Sequence, residues 1–173
     1  MPGPENSPQI ILRSRSVDDL SNEAVVTTLQ EGSFFDINKS RMGKGIKHQY
    51  EAAKRDGKSA VIDYTTGLMW QKSGSPSERN YAEAALYINV LNCQRLAGYG
   101  DWRLPTLEEA MSLMEPGRKS NGLYIDLIFD VKQSWIWTAD RIVSSGAWAV
   151  NFYGGYCFDY DINFNYCVRA VRC

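Results

Sequence analysis

The chain has one histidine and four cysteines, the side chains best suited to hold a metal or act as nucleophiles near neutral pH. Cys93, Cys157, Cys167 and Cys173 are never spaced as CxxC, and only His48 could join them, so the spacing of a zinc site is missing. A single histidine leaves no Ser-His-Asp set to assemble. His48 sits in a basic, glycine-punctuated stretch and reads as solvated. Gly43 and Gly45 bracket Lys44 without the GxxxxGK pattern of a phosphate loop. Glu108-Glu109 falls at an expected helix start, where carboxylates complement the macrodipole. Asp159-x-Asp161-x-Asn163 opens like an EF-hand loop, but Phe164 stands where that loop requires glycine and Ala170 where it requires a bidentate Glu. These residues point to no enzyme, no metal centre and no cofactor. Cys157 and Cys167 share one expected hairpin region. Reduced thiols are the simpler reading, and geometry decides whether that pair bonds.

The segment Tyr153–Cys167 is more informative. Phe158, Tyr160, Ile162, Phe164 and Tyr166 alternate with Asp159, Asp161, Asn163 and Asn165. One reading is a strand with its rings inward and its Asp and Asn outward. The other is an irregular loop whose Tyr, Phe and Asn face a partner, the mixture that antibody-like paratopes favour. Four Asp or Asn in seven residues oppose a strand, and Gly154-Gly155 permits a sharp turn, so the loop reading is preferred. Every residue from Tyr156 to Cys167 can be reached from an asparagine codon by changing adenines alone. That set omits Lys, Glu, Gln, Met and Trp, about a fifth of ordinary residues, so chance gives such a run about one time in fourteen.

The elements that would position this segment follow from periodicity. Residues 1–9 hold Pro2, Gly3, Pro4 and Pro8 and read as a flexible leader. A loose capping box at Ser16-x-x-Asp19 predicts a helix from about Val17 to Gln30, with Leu20, Ala24, Val25 and Leu29 on one face. Residues 10–57 then form an N-terminal extension with one helix that docks on or leads into a main domain, 58–173. In that domain Ala60–Tyr64 and Leu68–Gln71 read as strands around a Thr65-Thr66-Gly67 turn, with Trp70 buried. A helix should run from Tyr81 to about Leu96, packing through Tyr81, Ala84, Ala85, Ile88 and Leu91, with Gly98 closing it. Thr106 and Glu109 form a cleaner capping box for a helix carrying Leu107, Ala110, Met111 and Met114, ended by Pro116-Gly117. Trp135–Trp137, Ala147–Phe152 and Val168–Arg172 alternate as strands. Helices early and strands late predict an α+β fold with a mostly antiparallel sheet.

Composition bounds the function. The chain has 173 residues, 44% hydrophobic and 23% charged, enough for one globular domain. A net charge of −1 supplies no basic field for nucleic acid or an anionic membrane, and no apolar run approaches a membrane span. Without a basic start and apolar stretch at the N-terminus, the expected compartment is the cytoplasm, unless an export signal precedes this sequence.

Several strings occur in a telling order: Thr66-Gly67-Leu68-Met69-Trp70, Gly100-Asp101-Trp102-Arg103-Leu104-Pro105-Thr106, Trp137-Thr138-Ala139, Ala147–Phe152 and Val168-Arg169-Ala170-Val171-Arg172. Over about residues 58–173 the chain resembles a bacterial domain family named for the C-terminal domain of a collagen-like adhesin. That family is related to the formylglycine-generating-enzyme branch of the C-type-lectin-like fold. The resemblance implies two helices flanking a mostly antiparallel sheet, paired N- and C-terminal strands, and long irregular loops that present a ligand. Trp102, Trp148, Arg169 and Arg172 would be scaffold. It also extends to the variable proteins of diversity-generating retroelements, which diversify adenine-templated positions near the C-terminus. Carried over, it makes Tyr153, Tyr156, Phe158, Tyr160, Asn163, Asn165 and Tyr166 the candidate ligand-binding positions, facing a protein or surface ligand. Departures from the relatives matter too. Calcium-dependent sugar binding lacks its Glu-Pro-Asn motif, and Cys157 with Cys167 does not match the closely placed cysteines of a formylglycine-generating oxidase. The competing readings are a structural cap on a larger assembly, contacting it through residues 10–55, or a degenerate oxidase. The chain could also be the C-terminal module of a longer protein.

Overall fold

Asp56 and Gly57 both adopt positive φ (51° and 74°) in the computed structural model, which describes residues 8–143 and 145–173. Residues 1–7 of the leader expected at 1–9 lie outside that range. A two-residue turn of this geometry matches the twist of antiparallel strands, and it joins β1 (Tyr50–Arg55) to β2 (Lys58–Asp63). A second hairpin leads to β3 (Leu68–Gln71), its turn held by Asp63, which accepts from Thr65 N–H and the Thr66 hydroxyl. β3 then pairs with β7 (Val171–Arg172), giving the sheet order β1-β2-β3-β7, and Trp70 is buried as expected. The second sheet is β4 (Trp135–Ile142), β5 (Gly146–Asn151) and β6 (Tyr156–Asp161), all antiparallel. The fold is α+β.

The helices are α1 (Asn22–Glu31), α2 (Tyr81–Cys93) and α3 (Leu107–Ser112). Asn80 and Glu83 form a reciprocal capping box at α2, as do Thr106 and Glu109 at α3. α2 buries Ala84, Ile88 and Leu91, whereas Ala85, expected on the packed face, is exposed. α3 is shorter than its periodicity suggested, yet Leu107, Ala110, Met111 and Met114 are all buried.

Three expectations are corrected. Ser16 and Asp19 do not cap a helix: α1 starts at Asn22 behind Ser21. Residues 17–20 are instead drawn along β4. Val17 N–H donates to Asp140, Arg141 N–H to Val17 C=O, and Leu20 N–H to Arg141 C=O. Strand β1, unexpected from sequence, ties residues 50–55 into the sheet. And Tyr156–Asp161, preferred as a loop, is a strand paired residue for residue with β5, from Asn151↔Tyr156 to Gly146↔Asp161.

Two apolar clusters fill the molecule. One unites Val25, Leu29, Phe34 and Phe35 with Trp70, α3, Trp148, Val150 and Cys157. The other packs α2 and Trp102 against Trp137, Ala147, Ala149 and Val168. Trp102 and Trp148 are buried, their indole N–H groups donating to the Leu96 and Leu20 carbonyls. The fully buried Arg169 guanidinium donates to the Gln71, Lys72 and Asp130 carbonyls and lies over Phe129. Burial lowers its pKa to about 10. No helix among the described residues is long and apolar enough to cross a membrane.

Candidate functional site

The central strand β5 decides what its neighbours can do. Ala147 and Ala149 stand opposite Tyr160 and Phe158 on β6, and Ala149 also faces Trp137 on β4. Methyl side chains leave a trough on this face of the sheet, and the larger rings from both flanking strands lie over it. β6 therefore points Tyr156, Phe158 and Tyr160 towards the trough and solvent. Cys157, on the other parity, is buried in the core below. The alternation seen in the sequence is real and follows the simple strand reading in part. Tyr160, Ile162 and Tyr166 pack against the second apolar cluster and Asp161, Asn163 and Asn165 are exposed, whereas Phe158 and Phe164 are open to water and Cys157 is buried on the other side. Both faces of the sheet meet an apolar cluster, Trp148 and Val150 on one side and Ala147 and Ala149 on the other, and the β6 rings are accessible in part because β6 is an edge strand.

After β6, a turn at residues 162–165 returns the chain to the far edge of the sheet. There Trp137 N–H donates to Cys167 C=O and Cys167 N–H to Trp135 C=O. This route brings Tyr166 back beside β4. Trp135 and Tyr166 stack, their ring centroids 5.0 Å apart at 9°. Tyr160 stands edge-on to both, at 5.4 Å and 5.1 Å. Phe164 lies nearly parallel to Tyr166 at 6.5 Å, while Tyr156 meets Trp135 edge-on at 6.0 Å and Phe158 tilts against Tyr160 at 5.4 Å. Edge-to-face and offset-stacked pairs of this kind hold each other in place. The result is a half-buried aromatic platform whose outer rings, Phe158 at 49% and Phe164 at 55%, are open to water.

The platform also has a defined electrostatic character. Burial among the rings, the neighbouring Tyr156 hydroxyl and the Asp159 carboxylate all raise the Tyr160 pKa. Burial, Tyr156 and Glu78 raise that of Tyr166. Both phenols stay protonated and can donate hydrogen bonds.

The rigid backing comes from the N-terminal segment. Asp36, buried, accepts from Cys157 N–H at 2.9 Å, and Lys39 Nζ donates to Cys157 C=O at 2.6 Å. Ile37 N–H donates to Gly155 C=O. Asp36 Oδ1 also accepts the Asn38 and Lys39 N–H groups, which shapes the turn that makes these contacts. The hydrogen bonds that anchor the outer edge of β6 all reach its backbone, and Lys39 Nζ also lies 5.5 Å from the centroid of the Phe158 ring. Gly43 lets this turn approach: a Cβ there would stand 2.1 Å from the Phe34 carbonyl oxygen.

Of the candidate positions, Tyr156, Phe158, Tyr160 and Tyr166 come together on the platform. Asn163 and Asn165 lie exposed on the adjoining turn, where Asp161 Oδ1 accepts from both N–H groups of Asn163, backbone and side chain. Tyr153, 60% exposed, belongs to a different neighbourhood. It stacks on the Arg118 guanidinium, which also covers Tyr124. Trp135 and Phe164 complete the platform and were not among the candidates. Their signal was present in the alternation of Trp135-Ile136-Trp137 and of Phe158 through Tyr166.

The His48 side chain, read as solvated, is buried. Nε2 faces the Ser112 carbonyl at 2.7 Å, which can only accept, so Nε2 carries a proton; Nδ1 meets Asp63 at 2.8 Å. Cys157 and Cys167 are buried free thiols, and burial raises the pKa of both. Among the described residues no group of three or more His, Cys, Asp or Glu is placed to hold a metal.

Residues 59–172 match the family described as the Lcl C-terminal domain. The chain belongs to that family. The match begins one residue into β2 and ends within β7, so it takes in both sheets except β1 and contains every platform residue. A comparison with curated proteins finds no match. β1 and the Asp36–Lys39 anchor lie N-terminal to the region that matches the Lcl C-terminal domain.

Proposed function

We propose that this Lcl C-terminal domain is a non-enzymatic binding module that presents the aromatic platform to a protein or other macromolecular ligand. Membership of the family supports a ligand-binding domain of the variable type. The observation that carries the reading is β6 itself: an edge strand, held by its backbone, whose rings are half-buried against the second apolar cluster while Phe158 and the adjoining Phe164 stand open to water. Amphipathic tyrosines on a rigid support supply contact area with little rotamer entropy to lose. The C-type-lectin-like assignment belongs to the same proposal, as does sequence diversification by a retroelement. Platform and turn residues from Tyr156 to Tyr166, all compatible with asparagine-codon templating, would then be exchangeable while Cys157 and β5 stay fixed.

Selection from a random peptide display library tests the binding reading. Peptides enriched on the wild-type chain should lose at least about tenfold in affinity on a Tyr156→Ala, Tyr160→Ala, Tyr166→Ala variant, the scale of an interface hot spot. They should keep their affinity for Leu86→Ala, Val90→Ala on the exposed face of α2. Equal binding to the wild type and a folded triple variant would remove the platform as the site. Diversification has a genomic test: a near-copy of the coding stretch for residues 156–167, differing only at adenines, beside a reverse-transcriptase gene.

A further inference from the structure

Helix α2 carries apolar residues on two faces, and only one of them is covered. Ala84, Ile88 and Leu91 are buried in the second cluster, whereas Leu86 and Val90, one turn apart, are 63% and 49% exposed. A surface helix ordinarily turns polar side chains to water on its outer face. The exposed pair instead borders a groove of about 410 Å³ that continues over Leu91 and Leu96, a size within the range of ligand clefts. The base of the groove is ordered in advance. Gln71, buried, donates through Nε2 to the Tyr87 hydroxyl at 2.7 Å and accepts at Oε1 from Ala170 N–H. An amide held at both ends leaves little to be arranged when a second chain arrives.

Two cations, Lys58 and Arg79, line the same groove, and no carboxylate does. Neither forms an ion pair among the described residues. The Arg79 backbone is bridged to Tyr166, its guanidinium lies over the Tyr87 ring at 4.9 Å, and its buried Nε has no hydrogen-bond partner. The acidic residues nearest in sequence do not neutralise this pair. Glu83 accepts from Asn80 N–H in the α2 capping box, and Glu78 lies close enough to Tyr166 and Cys167 to raise both their pKa values. Asp56 is exposed in the β1–β2 turn. An apolar wall beside unpaired cations is complementary to a segment that carries apolar and acidic side chains together. A carboxylate would supply Arg79 with a charged acceptor, the stronger kind of hydrogen bond.

We propose that the groove along α2 docks a short acidic segment of a partner protein, with a leucine-type side chain against Leu86 and Val90 and a carboxylate on Arg79. This surface is separate from the platform, and the proposal does not rest on the platform. The experiment titrates the full chain at low ionic strength with the end-blocked peptide Gly-Asp-Leu-Asp-Leu-Gly. It should bind at least about tenfold more tightly than Gly-Asn-Leu-Asn-Leu-Gly or Gly-Asp-Gly-Asp-Gly-Gly, and should weaken in about 0.5 M salt, which screens the charges. Leu86→Ala, Val90→Ala should cost about tenfold with an unchanged melting temperature, and Arg79→Gln about fivefold. Lys58→Gln, at an exposed position, should cost about threefold and tests the charge without disturbing the core. The proposal is overturned if the asparagine peptide or the leucine-free peptide binds as tightly. Wild-type affinity in the Leu86→Ala, Val90→Ala chain, wild-type affinity in both charge variants, or no binding at millimolar peptide overturns it as well. The two surfaces separate by variant. Peptides seated on the platform keep their affinity for Leu86→Ala, Val90→Ala, whereas the acidic leucine peptide loses it there and keeps it on Tyr156→Ala, Tyr160→Ala, Tyr166→Ala. The reverse pattern for the acidic peptide would move its site to the platform and leave the groove without a role.

Discussion

Asp101 and Arg172 show how the two most telling strings of the sequence meet. Arg172 Nε and Nη2 bond the two Asp101 carboxylate oxygens at 2.7 Å and 3.0 Å, while the guanidinium stacks on Tyr99. The Arg172 bond holds the Asp101 pKa below the ordinary carboxylate range. A carboxylate depressed in the folded state stabilises the fold above its unfolded pKa, and that contribution fades as pH falls through the folded value. Because the pair is exposed, the effect is modest and salt-sensitive. Urea midpoints of the wild type and Asp101→Asn should therefore differ at pH 7 and converge towards pH 2. A constant gap would show that Asp101 acts through something other than its charge. Thiol chemistry is a second check at this scale. Cys93 and Cys173 are exposed, whereas Cys157 and Cys167 are buried with raised pKa values. A colorimetric disulfide reagent should titrate two thiols rapidly in the native protein and four after denaturation. Rapid reaction of all four would contradict the burial of β6.

At the scale of elements, what could be read from sequence was what is decided within a few residues. Thr106 and Glu109 cap each other across a single turn, and the Thr65–Gly67 turn is shaped by the nearby Asp63. The start of α1 was misplaced because Val17 N–H is claimed by Asp140, far along the chain. β6 was taken for a loop because Asp and Asn disfavour strands locally; its hairpin with β5 is close in sequence, but the Asp36–Lys39 turn that holds its outer edge is distant. The face on which the rings lie depends on Ala147 and Ala149 opposite them, a fact of register that periodicity does not contain. Asp36 is the test of this picture. Asp36→Ala removes the acceptor for the N–H groups of Cys157, Asn38 and Lys39. An unsatisfied buried donor costs about 1–3 kcal/mol, so the variant should lose at least about 2 kcal/mol in urea unfolding, with faster hydrogen exchange at the Cys157 amide. Wild-type exchange at that amide would mean that β6 is not anchored through residue 36.

For the whole molecule, the question is where the folding unit begins. The family match starts at residue 59, yet the first 57 residues contribute Val25, Leu29, Phe34 and Phe35 to the larger core cluster. They also supply β1, the His48 bridge between Asp63 and Ser112, and the bidentate Arg13 pair with Asp140. Four buried side chains at about 1.5–3 kcal/mol each come to about 6–12 kcal/mol, comparable with the about 5–15 kcal/mol net stability of a typical domain. Their removal would also leave Asp140, Asp63 and the edge of β6 without partners that they now hold. A chain beginning at Lys58 should therefore lose cooperative thermal unfolding and bind a hydrophobic dye, although it keeps every residue of the family match. The contrary result, a sharp transition within about 5 °C of the full chain, would make residues 10–57 a dispensable attachment. In that case the segment's buried contacts would serve docking rather than folding, and the anchor on β6 would have to be tested as a bound, exchangeable strap.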